Sequence, residues 1–454
     1  MSRIRRLLSR CIAALLILTL SAQPALAQSI LRDAETEVLL YDMSAPLIAA
    51  AGLDPRNVDV VMVGSNSINA FVAGGQVVYL HSGLIQAADS VEEVQGVIAH
   101  ELGHITGGHV INDGGGKAAT GITILSLLLG GLAAAAGSGD AAIGVLMAGQ
   151  QAALGKYLAF SRTQESSADA AGAQYLSNAR LSGRGSIAFF KKLQNLEMRR
   201  GFRRSADSEF YSTHPMTADR IATLQDTYEK DPAWHKPVDP VLQARFVRVK
   251  AKLMGYVELP ERTLQVYPPG DNSVAAHYAR AYAWHKQAYI DKAMGEVDAL
   301  LALSPDDPYF LELKGQVLLE SGQPAQALDP LRRATRLTGH HPLIATLFGH
   351  ALVASEDPAN LAEGEQVLKA AVSRDRENPF AWYVLGVIYG QRGDMARARL
   401  ASAEQQVLQG SYFQALQSAE AAEAALPKGS SDWLRAQDIA FQSRAAIEHL
   451  KKRK

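Results

Sequence analysis

Two histidines four residues apart, with a glutamate beside the first, form the stretch of this 454-residue sequence best suited to chemistry: His100-Glu101-Leu102-Gly103-His104. The run before it, Val91 to Ala99, places apolar residues at 94, 97 and 98, which is helical spacing. At 3.6 residues per turn, positions 100 and 104 share one face a turn apart, so both imidazoles can meet one zinc ion. Glu101 then projects beside them, where it can take a proton from water held by that ion. Two imidazoles leave a catalytic zinc one protein ligand short, so the pattern demands a further His, Asp or Glu from another helix.

Glu165 and Asp169 meet that demand by spacing, because i and i+4 fall on one helical face. Glu165 could bind the metal while Asp169 takes a hydrogen bond from the far nitrogen of a ligand histidine, the acceptor such ligands usually need to fix their tautomer. A third element is Thr213-His214-Pro215, followed by Arg220. The proline biases His214 toward an extended conformation at a helix start. There His214 could serve as an oxyanion donor or as a displaceable fourth ligand, and Arg220 could help hold a polarised carbonyl. His109 stands nine residues past His100 and points away from it on a continuous helix, and Gly107 and Gly108 weaken the helix before it. It is left outside the site.

The elements that must position these residues follow an export signal. Arg3, Arg5, Arg6 and Arg10 precede an apolar stretch from Cys11 to Leu20, then Pro24 and the triplet Ala25-Leu26-Ala27. The stretch is short of the roughly 20 residues of a spanning helix, so cleavage after Ala27 is expected. Removing four arginines and no acid takes the formal charge from −1 to about −5, a balance that argues against a general nucleic-acid binder. The sole cysteine, Cys11, leaves with the signal, which excludes a thiol nucleophile and suits an oxidising compartment. Between the two catalytic strings, Thr120 to Ala136 and Ala141 to Leu154 read as two small-residue helices about Gly137-Ser138-Gly139-Asp140. They are expected either as a buried pair or as a flap that covers the zinc or touches a membrane surface, within 120–154.

Breaks at Asp231-Pro232 to Asp239-Pro240 and at Leu259-Pro260 to Pro268-Pro269-Gly270 divide the chain, with the main boundary after Pro268. Beyond it, Gly315, Gly349 and Gly386 are spaced by 34 and 37 residues, and Ala293 and Ala327 by 34. That period belongs to the tetratricopeptide repeat. Asn378-Pro379-Phe380-Ala381-Trp382, Leu385-Gly386, Tyr389 and Ala398 form the clearest unit, and Tyr412 to Leu450 reads as a further pair. Glu356-Asp357-Pro358 reads as a loop insertion in the longer unit. The fold expected is mainly α: a helical metallopeptidase domain at 28–268 with a small β-hairpin or sheet, then an α-solenoid at 269–454 whose concave face binds protein.

Taken together, the His100 to His104 motif, Ser161-Arg162 with Glu165 and Ala168-Asp169, and Thr213-His214-Pro215 with Arg220 resemble the HtpX-like and Ste-type zinc peptidases. The export signal and the repeats make the periplasmic, repeat-bearing BepA (YfgC)-like branch the nearest match, over nearly the whole chain. Asn69 to Gly75 followed by Ser82-Gly83-Leu84 is similar to that family's hairpin before the active-site helix. The resemblance implies a zincin-type domain with zinc held by His100, His104 and Glu165, Glu101 as general base and acid, and His214 near the metal. It also implies that the hairpin strand Phe71-Val72-Ala73-Gly74-Gly75 offers an edge on which an extended substrate adds as one more strand. The implied partners are unfolded or misassembled clients, chiefly outer-membrane proteins and their assembly machinery. A scaffold that binds through its repeats and keeps an idle or structural zinc is the alternative, and an intact Glu101 argues against it, since a structural site needs no base and closes with four ligands.

Overall fold

The structure is a computed structural model and describes residues 29–109, 161–200, 214 and 217–452. The expected signal peptide at 1–27, the segment 120–154, and Thr213 and Pro215 lie outside the described residues. No helix among the described residues is long and apolar enough to cross a membrane.

The chain opens with β1, Ser29–Leu31, and helix α1, Ala34–Ala50, whose first turn is capped by Asp33 accepting from the Thr36 amide. Strands β2, Asp59–Gly64, β3, Ala70–Ala73, and β4, Val77–His81, complete a four-stranded sheet in the order β1-β2-β4-β3. β4 lies parallel to β2 and antiparallel to β3, which leaves β3 as an outer strand. Gly74 and Gly75, with φ of +64° and +102°, supply the left-handed reversal between β3 and β4 that side chains rarely adopt. Across that hairpin Phe71 pairs with Tyr79, and their rings stack at 5.0 Å.

β4 leads into α2, Ser82–Ala87, and then into α3, Val91–Thr106, which carries the His100 motif. Ser90 starts α3 by accepting from the Glu93 amide. Residues from Val91 to His104 are almost all buried, so α3 is a central helix rather than an amphipathic surface one. Glycines let its neighbours approach. A Cβ on Gly96 would stand 2.6 Å from the Ser186 Cβ, and one on Gly103 would stand 2.6 Å from the Ala168 carbonyl oxygen. Those contacts come from α5, Arg184–Arg200, and from α4, the helix running through 161–178. Helix α6, Ala218–Glu229, closes the domain by packing on α5 through Ile221, Leu224 and Tyr228.

Helix α7, Pro240–Val257, serves two cores. Its Phe246, Val249 and Leu253 join the apolar cluster built on α1 and α3, while the same helix packs against α9, Val274–Lys286. The short α8, Pro260–Val266, lies between them. Buried charges stitch this joint: Arg248 binds Glu35 and, at 2.7 Å, Asp307, and the Tyr278 hydroxyl donates to Glu35 at 2.7 Å.

Five antiparallel helix pairs follow, α9 with α10 (Ile290–Leu303), α11 with α12 (Pro308–Glu320, Pro324–Leu337), and α13 with α14 (Pro342–Ala354, Leu361–Arg374). The last two are α15 with α16 (Pro379–Gln391, Met395–Leu408) and α17 with α18 (Tyr412–Ala425, Ser431–Lys452). The expected glycines do close these pairs: a Cβ on Gly315 would meet Leu331 at 2.3 Å, and one on Gly349 would meet Leu368 at 2.5 Å. At Gly386 the facing residue is Ala401 and the same test gives 3.3 Å, a looser fit. Pro308, Pro342 and Pro379 open the first helix of their pairs, where the missing N–H is not needed. The insertion at Glu356-Asp357-Pro358 forms a 3-10 turn over Pro358–Asn360, which accounts for the longer period of that unit.

Candidate metal centre

Helix α3 presents His100 and His104 on one face, with their Nε2 atoms 3.2 Å apart. From α4, Glu165 brings its two carboxylate oxygens to 3.4 Å from each of those nitrogens. His214 arrives from just before α6 and sets its Nδ1 3.3 Å from His100 Nε2 and 3.0 Å from a Glu165 oxygen. The four side chains are buried and offer donor atoms all within 4.8 Å of one another. Four donors around one ion at bonds of about 2.0–2.2 Å stand roughly 3.3–3.6 Å apart along the edges of a tetrahedron, and the separations of His100 from His104, Glu165 and His214, 3.2 to 3.4 Å, are close to that. Glu101, 1% exposed, points into the same space, and its Oε1, 3.6 Å from His214 Nε2, has no hydrogen-bond partner among the described residues. A buried carboxylate oxygen left alone is costly unless a cation or a bound water faces it.

Residues 35–228 match the model of peptidase family M48, a span that contains every one of these side chains. The chain carries an M48 peptidase domain. It is a metallopeptidase, and the buried His/Glu group of the M48 domain is where a metal ion fits. A second model, anaphase-promoting complex, cyclosome, subunit 3, matches residues 286–371, inside the helix pairs. A relative from Yersinia pestis described as a beta-barrel assembly-enhancing protease is 24% identical over 402 residues, covering 86% of this chain and 80% of its own. Its counterpart from Escherichia coli K12 is 23% identical over 376 residues, covering 81% and 75%. Metalloprotease LoiP, also from Escherichia coli K12, is 31% identical over 180 residues, covering 39% of this chain and 64% of its own.

Within the M48 domain the charges are arranged in two tiers. His100 Nδ1 lies 2.9 Å from Asp169 Oδ1, an ion-pair contact. Burial works against a charge on His100, but the contacts with Asp169 and Glu165 outweigh it and hold the ring up at about 10. Burial likewise opposes the Glu165 charge, and His100, His104 and His214 reverse the balance, holding that carboxyl well below the usual range. Asp169 is held low against its own burial by His100 and Arg220. Both carboxylates are thus kept ionised, the form a metal ligand and its acceptor require.

Arg220 is placed differently from its expected role at a substrate carbonyl. Its Nε and Nη2 donate to the two oxygens of Asp169 at 2.7 and 2.8 Å, and Nη1 lies 3.0 Å from Glu165. A fork committed on both sides and only 9% exposed braces the carboxylates instead. Phe71 to Ala73 lie on the outer strand β3 beside α3, with Gly74 and Gly75 in the turn, as the hairpin reading requires.

Two features escaped sequence reasoning. Gly103 and Gly172 let α3 and α4 touch backbone to backbone: a Cβ on Gly172 would stand 3.0 Å from the Ala99 carbonyl. His109, set aside on the assumption of a continuous helix, meets the outer nitrogen of His104 at 2.8 Å. The readable signal was the glycine pair before it, which marks a helix stop rather than a weakened turn.

Proposed function

We propose that this protein is an exported zinc endopeptidase of the periplasm that acts on unfolded or misassembled outer-membrane proteins, with its repeats, from residue 269, as a protein-binding and chaperone-like module. The observation that carries the reading is the buried set of three imidazoles and one carboxylate with donor atoms within 4.8 Å of one another, and the Glu101 carboxylate beside it. A nitrogen-rich donor set favours zinc over magnesium or calcium, and bound zinc supplies the Lewis acidity that brings water near pKa 7 and polarises the scissile carbonyl.

In this reading His100, His104 and Glu165 hold the ion. Glu101 takes the proton of the attacking water and passes it to the leaving amine, with no covalent intermediate. His214 Nδ1 would complete the donor set as a displaceable ligand, or its ring would serve as an oxyanion donor, and its Nε2 lies 3.6 Å from Glu101. Asp169 fixes the ring of His100, and Arg220 fixes Asp169. An extended client adds to the free edge of β3, where backbone hydrogen bonds give affinity with little demand on sequence.

The client class is supported by the names of the relatives, beta-barrel assembly-enhancing proteases, with which the chain shares both the peptidase domain and the region of the repeats. A cavity of about 390 Å³ between the β1 segment and the repeats, lined among others by Arg32, Tyr282, Leu343 and Phe380, suits protein contact. The expected export signal accounts for the compartment. Glu101→Gln tests the chemistry: the variant should keep its fold and one zinc per chain while cleavage of an unfolded β-barrel client falls by at least about 10²-fold, the usual worth of a general base. Equal cleavage by the variant removes Glu101 from its role, and a wild type that binds zinc yet cuts no such client leaves only the scaffold.

A further inference from the structure

Helix α3 does not run on past Thr106. Gly108, at φ +64°, turns the chain into the left-handed region, the His109 amide donates back to the His104 carbonyl at 3.1 Å, and the Gly108 amide donates to Ile105 at 3.1 Å. That pair of bonds is a Schellman ending. It folds the His109 side chain back against the helix rather than outward along it. Gly107 makes the room, since a Cβ there would stand 2.5 Å from His109 Nε2.

The ring delivered this way sits at the end of a directed chain of hydrogen bonds. The Gln164 carbonyl can only accept, so the Ser167 hydroxyl donates its single proton to it, at 3.3 Å. Ser167 Oγ is then an acceptor for His109 Nε2, 3.1 Å away. With its proton on Nε2, His109 has a bare Nδ1, which accepts from His104 Nδ1–H at 2.8 Å. His104 Nε2, on the other side of the ring, faces the donor cluster. We propose that His109 is a positioning residue for the metal site: an imidazole that accepts from His104 Nδ1–H, fixes the orientation of that ring and ties the end of α3 to the helix that carries Glu165.

This inference rests on the zinc reading above and extends it. The two ligand histidines are served by unlike acceptors, a carboxylate for His100 and an uncharged ring for His104. The ring adds no further negative charge to a pocket that already holds Glu101, Glu165 and Asp169. It also couples the two helices, since Ser167 lies two residues from Glu165. Loss of the acceptor should therefore loosen the ion without touching a ligand.

The test uses the full-length protein, with zinc affinity read by competition against a chelator. His109→Leu, which removes the acceptor and excludes water from its place, should weaken zinc by about 10–100-fold, the usual effect of losing a ligand's hydrogen-bond partner. His109→Asn, whose amide oxygen can stand where Nδ1 stood, should recover affinity to within about threefold of wild type. Melting temperatures of the zinc-free variants should agree with each other, which separates positioning from a structural loss. In the zinc-loaded protein labelled with ¹⁵N-histidine, long-range ¹H–¹⁵N spectra should show His104 protonated on Nδ1 and His109 on Nε2. Leucine and asparagine variants equal in affinity, or His109 protonated on Nδ1, would overturn the inference while leaving the zinc site intact. A wild type that takes up no zinc would overturn both.

Discussion

Gly103, between Glu101 and His104, is the position at which a single methyl group should separate the two halves of the metal centre. A Cβ there would lie 2.6 Å from the Ala168 carbonyl oxygen and 2.8 Å from the Ala168 Cα, both backbone atoms that cannot rotate aside. Ordinary contact begins near 3.4 Å, so Gly103→Ala must push α3 and α4 apart by roughly 0.8 Å along that line. The helices cross at this point, with His100 and His104 on one and Glu165 on the other, at ligand separations of 3.4 Å. A bound metal tolerates about ±0.2 Å in its bonds, so most of the displacement cannot be absorbed by the ion. Zinc affinity should fall by at least about 10-fold, of the order seen when the groups that orient a ligand are lost. Overpacking should also cost about 1–3 kcal/mol of stability. Chelator competition and denaturant unfolding measure the two effects separately. A Gly103→Ala protein with wild-type zinc affinity would show that the close approach of the helices does not set the site, and the packing argument would fall.

Two further outcomes follow from buried charges. Arg220→Met should cost about 3–5 kcal/mol, because it leaves Asp169 and Glu165 buried without their guanidinium; Arg220→Lys should recover only part of this, having no fork to span Asp169. Unfolding curves that match wild type would return Arg220 to a role at the substrate. Glu312, in the wall of the cavity beside the repeats, is pushed up to about 8 by burial and by Asp33 and Glu35, against the pull of Lys252. The folded protein then binds this proton more tightly than the unfolded chain does, so the contribution of Glu312 is full below about pH 4.5 and is lost as pH rises through about 8. Glu312→Gln should flatten that decline and raise the melting temperature at pH 8.5 relative to wild type; an unchanged slope would remove Glu312 as its source.

What could be read in advance was whatever repeats at a fixed period. His100 and His104 share a face because helices turn every 3.6 residues, and Glu165 and Asp169 do so for the same reason. The helix pairs showed through the 34-residue spacing of their glycines, although which side chain each glycine faces, Leu331, Leu368 or Ala401, was not in the spacing. The features that stayed hidden depend on the ends of elements and on contacts between them. His109 was misplaced because a helical wheel assumes the helix continues, whereas Gly108 ends it and reverses the direction of the next side chain. Arg220 was assigned to substrate because nothing in a linear pattern shows that Asp169, 51 residues away, takes both arms of its fork. The sheet order was likewise invisible: β4 lies between β2 and β3, a parallel pairing that hairpin signals alone do not suggest.

The charge inventory of the pocket argues for the kind of ion before any ligand preference is considered. Glu101, Glu165 and Asp169 are buried together, and Arg220 is the guanidinium that pairs directly with two of them. Three carboxylates against one guanidinium leave a formal surplus of two negative charges in a poorly solvated space, which is costly to leave uncompensated. A divalent cation would offset all of it, held by ligand nitrogens in their bare form. A monovalent ion would leave the surplus half met, and a trivalent one would reverse it. Under the proposed reading, that surplus favours a divalent ion, and three imidazole nitrogens favour zinc among such ions.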